Sequence, residues 1–492
     1  MSPHTPAKNQ PIVVVGAGAF GLSTALHLAQ RGYENVTVFD KQPYEKSHYS
    51  YYEGCDAASA DASKIIRSAY GGQKEYSDLS TEALVMWNEW NEDLNTIDED
   101  KANGLTKDDK VWMNNGVLMC SDRTELTDFE KASAANANIP GQPPSVLTTI
   151  DADDLAEAKK RGISHSLAPF AKEATGIMDT TGGVIAADKA CLLALYKAKQ
   201  AGAKFVLDPI AGAFSSFVYK EGDGKVVCGI KTADGKTHEA ATVIMACGGW
   251  TPSLVPEMDG LCETTAGSVA LFRIPADSPL RTKYSYANFP AWMFKQREGA
   301  DGGLYGFPVD HNGVMKIGYR GIKYTNPVKQ ADGKDRSVPR TRWSVDEAII
   351  DLPVKAHQVI KRFVDNYMPD LGAAGIDIWM SRLCWYTDSY DNHYVIDRVP
   401  GLDAVMCATG GSGHAFKFLP NLGKWVADVL EQKDMDRALV KAWQWRSLKK
   451  DEKPTNVLML GRDDSRTLEN TELICVDASE DPVTGMKKLS LA

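Results

Sequence analysis

Pro11-Ile12-Val13-Val14-Val15-Gly16-Ala17-Gly18-Ala19-Phe20-Gly21 is the stretch on which the fold turns. A short β-branched run reads as a buried strand, and it enters a Gly-x-Gly-x-x-Gly turn followed by a helical pattern through Leu22, Ala25, Leu26 and Leu28. In that context Gly16 permits the tight turn, Gly18 lets the backbone approach a pyrophosphate, and Gly21 lets helix and strand pack closely. Phe20, inside the turn, is counted with them as cofactor-facing. Val36-Thr37-Val38-Phe39 reads as the next strand and delivers Asp40, a carboxylate placed to hydrogen-bond a ribose diol. Strand, glycine turn, helix and acid in this order predict an α/β, Rossmann-like dinucleotide-binding unit.

Working outward, 492 residues of which 43% are hydrophobic predict more than one structural unit. A net charge of −10 argues against nucleic acid or an anionic membrane surface as partner. The nine cysteines are odd in number and lack metal-ligand spacing, so they read as reduced thiols with no metal site. Met1 to Gln10 lacks the apolar core of a signal peptide, and no stretch has the length to span a bilayer. The expectation is a soluble, intracellular, cytoplasmic monomer. Ser490-Leu491-Ala492 lacks the basic middle residue of a peroxisomal address.

The pattern of elements suggests that the nucleotide unit is discontinuous, built from residues 1–94, 177–260 and 375–440. Residues 95–176 and 261–374 read as an α+β substrate domain around a mixed β-sheet, and 441–492 as a charged tail, either a surface arm or partly disordered. Ser77 to Leu94 places Leu79, Ala83, Met86, Trp87, Trp90 and Leu94 on one helical stripe, most simply core. Thr242 to Ala246 reads as a buried strand ending in Cys247-Gly248-Gly249-Trp250, a second place where small residues admit a cofactor. Ser268 to Ala374 reads as strand-like runs rich in aromatic residues.

Two C-terminal segments carry the candidate chemistry. Leu383-Cys384-Trp385-Tyr386-Thr387 is followed by Gly410-Gly411-Ser412-Gly413-His414-Ala415-Phe416-Lys417-Phe418. The glycine-rich turn is expected to open a helix and to present backbone N–H groups to an anion, setting Gly411, Ser412, Gly413 and His414 against a cofactor. Lys417 adds a full positive charge and Cys384 a sulfur nucleophile. A lone cysteine is ordinarily a packing residue; the position of Cys384 before Tyr386 and the turn favours a functional role. His414 reads as support for the loop more than as a proton carrier.

Upstream, Ser63-Lys64-Ile65-Ile66-Arg67 sets two cations three residues apart, neighbours on one face if the segment is helical. Such a pair is usually a solvated face, but the flanking glycines and the downstream motifs favour a bound carboxylate. A guanidinium gives it two parallel hydrogen bonds, and Lys417 adds a point charge from the opposite side. Lys316, within Val314-Met315-Lys316-Ile317, faces away from its apolar neighbours on a strand, either toward solvent or toward a cofactor.

Taken together these segments resemble the D-amino-acid-oxidase-like flavoproteins, in the branch of monomeric sarcosine oxidase and the fungal fructosyl amino acid oxidases, which extends to saccharopine- and pipecolate-type and secondary-metabolite amine oxidases. The similarity runs from about Ile12 to Arg446. It is carried by residues 16–21, Lys-Ile-Ile-Arg-Ser-Ala-Tyr-Gly at 64–71, Tyr-Gly-Phe-Pro at 305–308, Lys-Ile-Gly-Tyr at 316–319, Cys-Trp-Tyr-Thr at 384–387 and the turn at 410–418. The resemblance implies FAD joined through its 8α-methyl carbon to the sulfur of Cys384. It implies that Lys316 activates oxygen, that Arg67 and Lys417 bind the substrate carboxylate, and that Tyr305 and Tyr386 line the pocket. Ser63 and Lys64 would lie beside the flavin, and a helix opening near Ser412 would stabilise negative charge on it. Arg320 departs from the pattern of the family it resembles: it stands where sarcosine oxidase carries a histidine and where the fructosyl amino acid oxidases carry an acidic residue. It suggests a substrate bearing a second acidic or electron-rich group.

The implied activity is oxidation of the C–N bond of an amino acid or secondary amine to an imine, with O2 reduced to hydrogen peroxide. A fructosyl amino acid oxidase and a biosynthetic amine oxidase whose imine cyclises are the alternatives within the family. A nicotinamide-dependent dehydrogenase or a non-catalytic flavin-binding protein would share the N-terminal glycines, but neither needs Cys384 or a lysine poised for oxygen.

Overall fold

The computed structural model describes residues 5–55, 57–139, 141–295, 302–344, 346–458 and 461–478; Ser490 to Ala492 lie outside them. Ile12–Val15 is one of the two central strands of a six-stranded sheet in the order Val395–Arg398, Val405–Thr409, Thr242–Met245, Ile12–Val15, Val36–Asp40, Lys204–Leu207. All neighbours are parallel except the first pair. Ile12 to Val15 are buried on both faces, Ile12 and Val14 in the helix-lined core and Val13 and Val15 in a second core with Val227 and Ile230 of a three-stranded sheet, Phe214–Tyr219, Val227–Thr232 and Thr237–Glu239. The helix Ala19–Gln30 follows and packs against Ala187–Gln200 and Leu422–Leu430. Gly16 sits at φ +105°, and a Cβ on Gly21 would lie 1.8 Å from the Gly16 carbonyl oxygen, so neither position accepts a side chain.

A second, eight-stranded sheet runs Ile378–Ser389, Cys262–Arg273, Val314–Tyr324, Leu304–Gly306, Ala291–Lys295, Val117–Ser121, Thr175–Asp179, Val146–Thr148. It is mixed, with Ala291–Lys295 parallel to Val117–Ser121. Its long strand Ile378–Ser389 carries Cys384 and Tyr386 and pairs along Cys262–Arg273, Gly267 facing Cys384. Two architectures thus meet, one mostly parallel with helices on one face, one largely antiparallel.

Four expectations change. Ser63–Ile66 is a strand, paired with Gly183–Ala186, because adjacent β-branched Ile65 and Ile66 suit a pleated surface. Lys64 therefore sits within the strand and Arg67 just past its end, and the spacing of a helical turn does not relate them. No helix opens at Ser412: that residue has φ +46° and Gly413 +70°, values a right-handed helix cannot include. The chain makes a 3₁₀ turn at Phe416–Phe418 and enters its helix only at Leu422. The 268–374 stretch is not strands alone; Val354–Tyr367 is a helix whose Ala356, Val359, Ile360, Phe363 and Val364 form a buried stripe against the eight-stranded sheet. The tail, as far as it is described, is docked. Arg446 holds Asp391 through two hydrogen bonds of 2.6 and 2.7 Å, Leu473–Ile474 pairs with Leu352–Pro353, and Asp477 accepts from the Ser381 N–H at 2.7 Å and from Arg342. Charge pairing and backbone bonds do there what apolar periodicity does elsewhere.

Candidate active site

A cavity of about 910 Å³ runs from the glycine turn to the eight-stranded sheet, at the upper end of the usual roughly 300–1,000 Å³ for ligand sites. Gly16, Gly18, Phe20 and Asp40 line one end, Cys247 to Trp250 its flank, and Lys316, Tyr305, Tyr386 and Arg320 the other. Lys64 lines that same end beside Lys316, and Arg67, Gly411, Ser412, Gly413, His414 and Lys417 line the stretch between. Three expected residues stand back from the open space. Gly21 serves the packing of turn and helix, Ser63 contributes its carbonyl, and Cys384 is buried behind the wall, close enough to act electrostatically on Lys64, Tyr305 and Tyr386.

At the nucleotide end, the Asp40 carboxylate accepts from the Ala17 N–H at 2.7 Å and the Gln42 N–H at 2.8 Å. The turn is thereby tied to the tip of the next strand while the carboxylate remains on the cavity wall. The first turn of the helix faces the same space, with Ser59 Oγ accepting from the Ala19 N–H at 3.0 Å. A dinucleotide fits this end by the chemistry of its donors and acid.

At the other end, three buried charges share one site. Asp61 Oδ2 lies 2.7 Å from Lys64 Nζ and 2.8 Å from Lys316 Nζ. Burial opposes ionisation of Asp61, but Lys316, Lys64 and Arg382 outweigh it and hold the carboxyl well below the usual range. The two lysines divide unequally. Burial would lower both; Asp61 overcomes it for Lys64, whose pKa is raised, whereas Lys316 is pushed down to about 8 with Lys64 adding repulsion. Lys316 also donates to the Ser63 carbonyl and lies 4.3 Å from the Phe307 ring centroid. It faces the cavity and not solvent.

Between the two ends stands a second cationic group. Lys417 Nζ donates to Tyr70 Oη at 2.9 Å, and the Arg67 guanidinium lies 4.3 Å from the centroid of the same ring. Arg67 also donates to the Ala69 carbonyl, and Asp179 fixes that loop by accepting from the Ser68 and Ala69 N–H groups at 2.6 and 2.9 Å. Burial, then Arg67, drives the Lys417 pKa well down, so an anion placed between the two cations would restore its proton. His414 supports the loop: its Nε2 is 2.9 Å from the Asn392 carbonyl, its Nδ1 is 3.1 Å from Tyr394 Oη, and burial beside Lys417 lowers its pKa to about 3. It is neutral at ordinary pH. Tyr305 and Tyr386 approach each other, oxygen to oxygen, at 3.4 Å.

Asp61, Tyr70 and Asp179 were not legible as site residues. Each is an unremarkable acid or aromatic in sequence, and each works by contacts made across 3 to 347 positions of chain.

A glycine turn of this form, an acid at the next strand tip and a cavity ending in buried cations define a dinucleotide-dependent oxidoreductase. The chain belongs to the FAD dependent oxidoreductase family, DAO, whose signature covers residues 11–429. It is 26% identical over 450 residues to L-saccharopine oxidase of Schizosaccharomyces pombe, covering 89% of this chain and 93% of that one. It is 25% identical over 423 residues to monomeric sarcosine oxidase of Bacillus sp., covering 85% and 92%. Among solved structures, fructosyl peptide oxidase from E. terrenum superposes with a TM-score of 0.70 at 26% identity, over 90% of this chain and 93% of that one. The fold and family expected from the motifs agree with these likenesses. Among the described residues no helix is long and apolar enough to cross a membrane, and no group of three or more metal-ligating side chains occurs.

Proposed function

We propose that the protein oxidises the C–N bond of an N-substituted amino acid, with dioxygen as acceptor and hydrogen peroxide as product. The observation that carries this reading is the single cavity that joins a dinucleotide turn to two groups of buried cations, Lys64–Asp61–Lys316 and Arg67–Lys417 about Tyr70. The names of the relatives support it: saccharopine and sarcosine are both N-substituted amino acids. FAD bound here would supply the two-electron acceptor and its return to oxygen.

The chain's own residues supply position and charge. Arg67 and Lys417 would hold the substrate carboxylate, the guanidinium by two parallel bonds and the ammonium as a point charge. Tyr305 and Tyr386 would bound the space for the amine. Lys316 would place a cation where negative charge develops as oxygen is reduced. The turn from Gly411 to His414 would lie against the flavin, Lys64 beside it. Cys384 would hold the cofactor by a thioether; forming that bond releases two protons and two electrons, which dioxygen takes up as hydrogen peroxide.

The expected result is peroxide formed one for one with oxygen consumed when the protein meets N-alkyl amino acids, and none from the same compounds with the carboxylate converted to an amide. Equal turnover of acid and amide would contradict the role given to Arg67 and Lys417. Oxidation that required a nicotinamide nucleotide would contradict the reading as a whole.

A further inference from the structure

The strand Val314–Tyr324 keeps a regular antiparallel register with Cys262–Arg273 from Val314 opposite Arg273 to Tyr319 opposite Ser268. The next pairing is Tyr324 opposite Ala266, so residues 320–323 of one strand bulge out against a single residue, Gly267, of the other. On a regular strand Arg320 and Lys323, at an odd separation, would point to opposite faces. The bulge re-aims the side chains, and both line the cavity.

Between them lies Asp388, fully buried. Its Oδ2 accepts from Lys323 Nζ at 2.8 Å and Thr265 Oγ1 at 2.6 Å, and its Oδ1 is 3.7 Å from Arg320 Nη2. Lys323 also reaches Asn456 Oδ1 at 2.8 Å. Burial works against the Asp388 charge, but Lys323 and Arg320 hold its pKa below the usual carboxylate value. Two cations share one anion, leaving a surplus positive charge on the wall.

Arg320 is also underused. Its guanidinium is stacked 4.4 Å from the Tyr386 ring centroid and passes over Gly413, where a Cβ would lie 2.0 Å from Nη1. Its best hydrogen bond is a long 3.5 Å contact to the Ser412 carbonyl, and its buried Nε has no partner. A guanidinium carries five N–H donors in a planar fork that matches a carboxylate. This one is pinned by stacking, with most of its donors unspent, beside a second cation.

We propose that Arg320 and Lys323, oriented by Asp388, form a second anion subsite that takes a carboxylate on the N-substituent, so that the preferred substrates are secondary amines with a carboxylate at each end. The proposal rests on the amine-oxidase reading, with the first carboxylate at Arg67 and Lys417. The stacked guanidinium and the buried Asp388 make the subsite rigid before substrate arrives, so binding there orders few side chains.

The test uses the holoenzyme and two probes of equal length, an N-(ω-carboxyalkyl)glycine and the N-alkylglycine ending in methyl. The wild type is expected to favour the diacid in kcat/KM by about tenfold or more, the worth of a charged hydrogen bond. Lys323→Gln and Arg320→Gln are each expected to raise KM for the diacid and to bring that ratio toward one. A wild type that oxidises the methyl-ended probe as well as the diacid overturns the subsite while leaving the amine oxidase standing; a protein inert to both overturns both. Variants that lose the two probes in equal proportion, with an altered flavin spectrum, would assign the pair to the cofactor and also overturn the proposal.

Discussion

Replacing Lys316 by methionine is expected to slow the reaction of the reduced enzyme with oxygen by about a hundredfold to a thousandfold, the cost of removing one preorganised charge at a site of developing negative charge. Anaerobic reduction by substrate should change far less, because the proposed binding cations for the substrate carboxylate are Arg67 and Lys417. The variant should fold: Asp61 keeps Lys64 at 2.7 Å and the field of Arg382, so no buried carboxylate is left alone. Methionine matches the length of the apolar stem and leaves no large void. The pH dependence has a definite sign. Lys316, lowered to about 8 by burial, is charged below that pH and neutral above it. The oxygen reaction of the wild type should therefore fall as pH rises through about 8, and the variant should lack that inflection. Stopped-flow reoxidation across pH separates these outcomes. A variant that reoxidises at the wild-type rate would remove Lys316 from the mechanism.

The second large effect is all-or-none. Acid denaturation of the wild type is expected to leave yellow, fluorescent flavin on the polypeptide, and Cys384→Ala to release all of it into the supernatant. Cys384 is buried in an apolar cluster with Val269, Leu271, Val314 and Tyr386, so the alanine variant removes one small sulfur and should fold with about the loss of a minor core truncation. Release of free flavin from the wild type would exclude the thioether at any cysteine. Retention in the variant would move it to another.

The nucleotide half of the fold was legible because each of its signals is local. Strand, glycine turn, helix and acid lie within residues 11–40, and Gly16 and Gly21 are required by backbone geometry alone. The half built on the eight-stranded sheet was legible in part. Lys316 was correctly placed on a strand with its amine opposite Met315 and Ile317, since strand alternation is also local. The charges of Lys64 and Arg67 are plain in the sequence, but helical spacing does not relate them, and their common cavity is produced by sheet pairing and a loop held by Asp179. Lys323 was invisible for a clear reason: a bulge reverses the face that alternation assigns, and a bulge depends on the partner strand. Asp61 and Asp388 were missed because an acid becomes informative only when its burial and its cations are known. The glycines around Ser412 predict a helix start, but the left-handed residues there make a bend that precedes the helix by a full loop.

Asp61 and Asp388 have the same structural role at two points behind one cavity wall. Each is a buried carboxylate that neutralises part of a lysine- or arginine-rich cluster and leaves a surplus positive charge toward the open space. A cavity whose surplus charge is divided among separate positions is suited to a ligand with separated anionic groups, and to oxygen chemistry at a third.

The most direct measurement is anaerobic mixing of the purified holoenzyme with an N-substituted amino acid while its visible absorption is followed. The yellow absorption is expected to bleach to completion with one equivalent of amine per flavin, and admitting air is expected to restore it with one equivalent of hydrogen peroxide. Yellow protein that no N-substituted amino acid bleaches would contradict it.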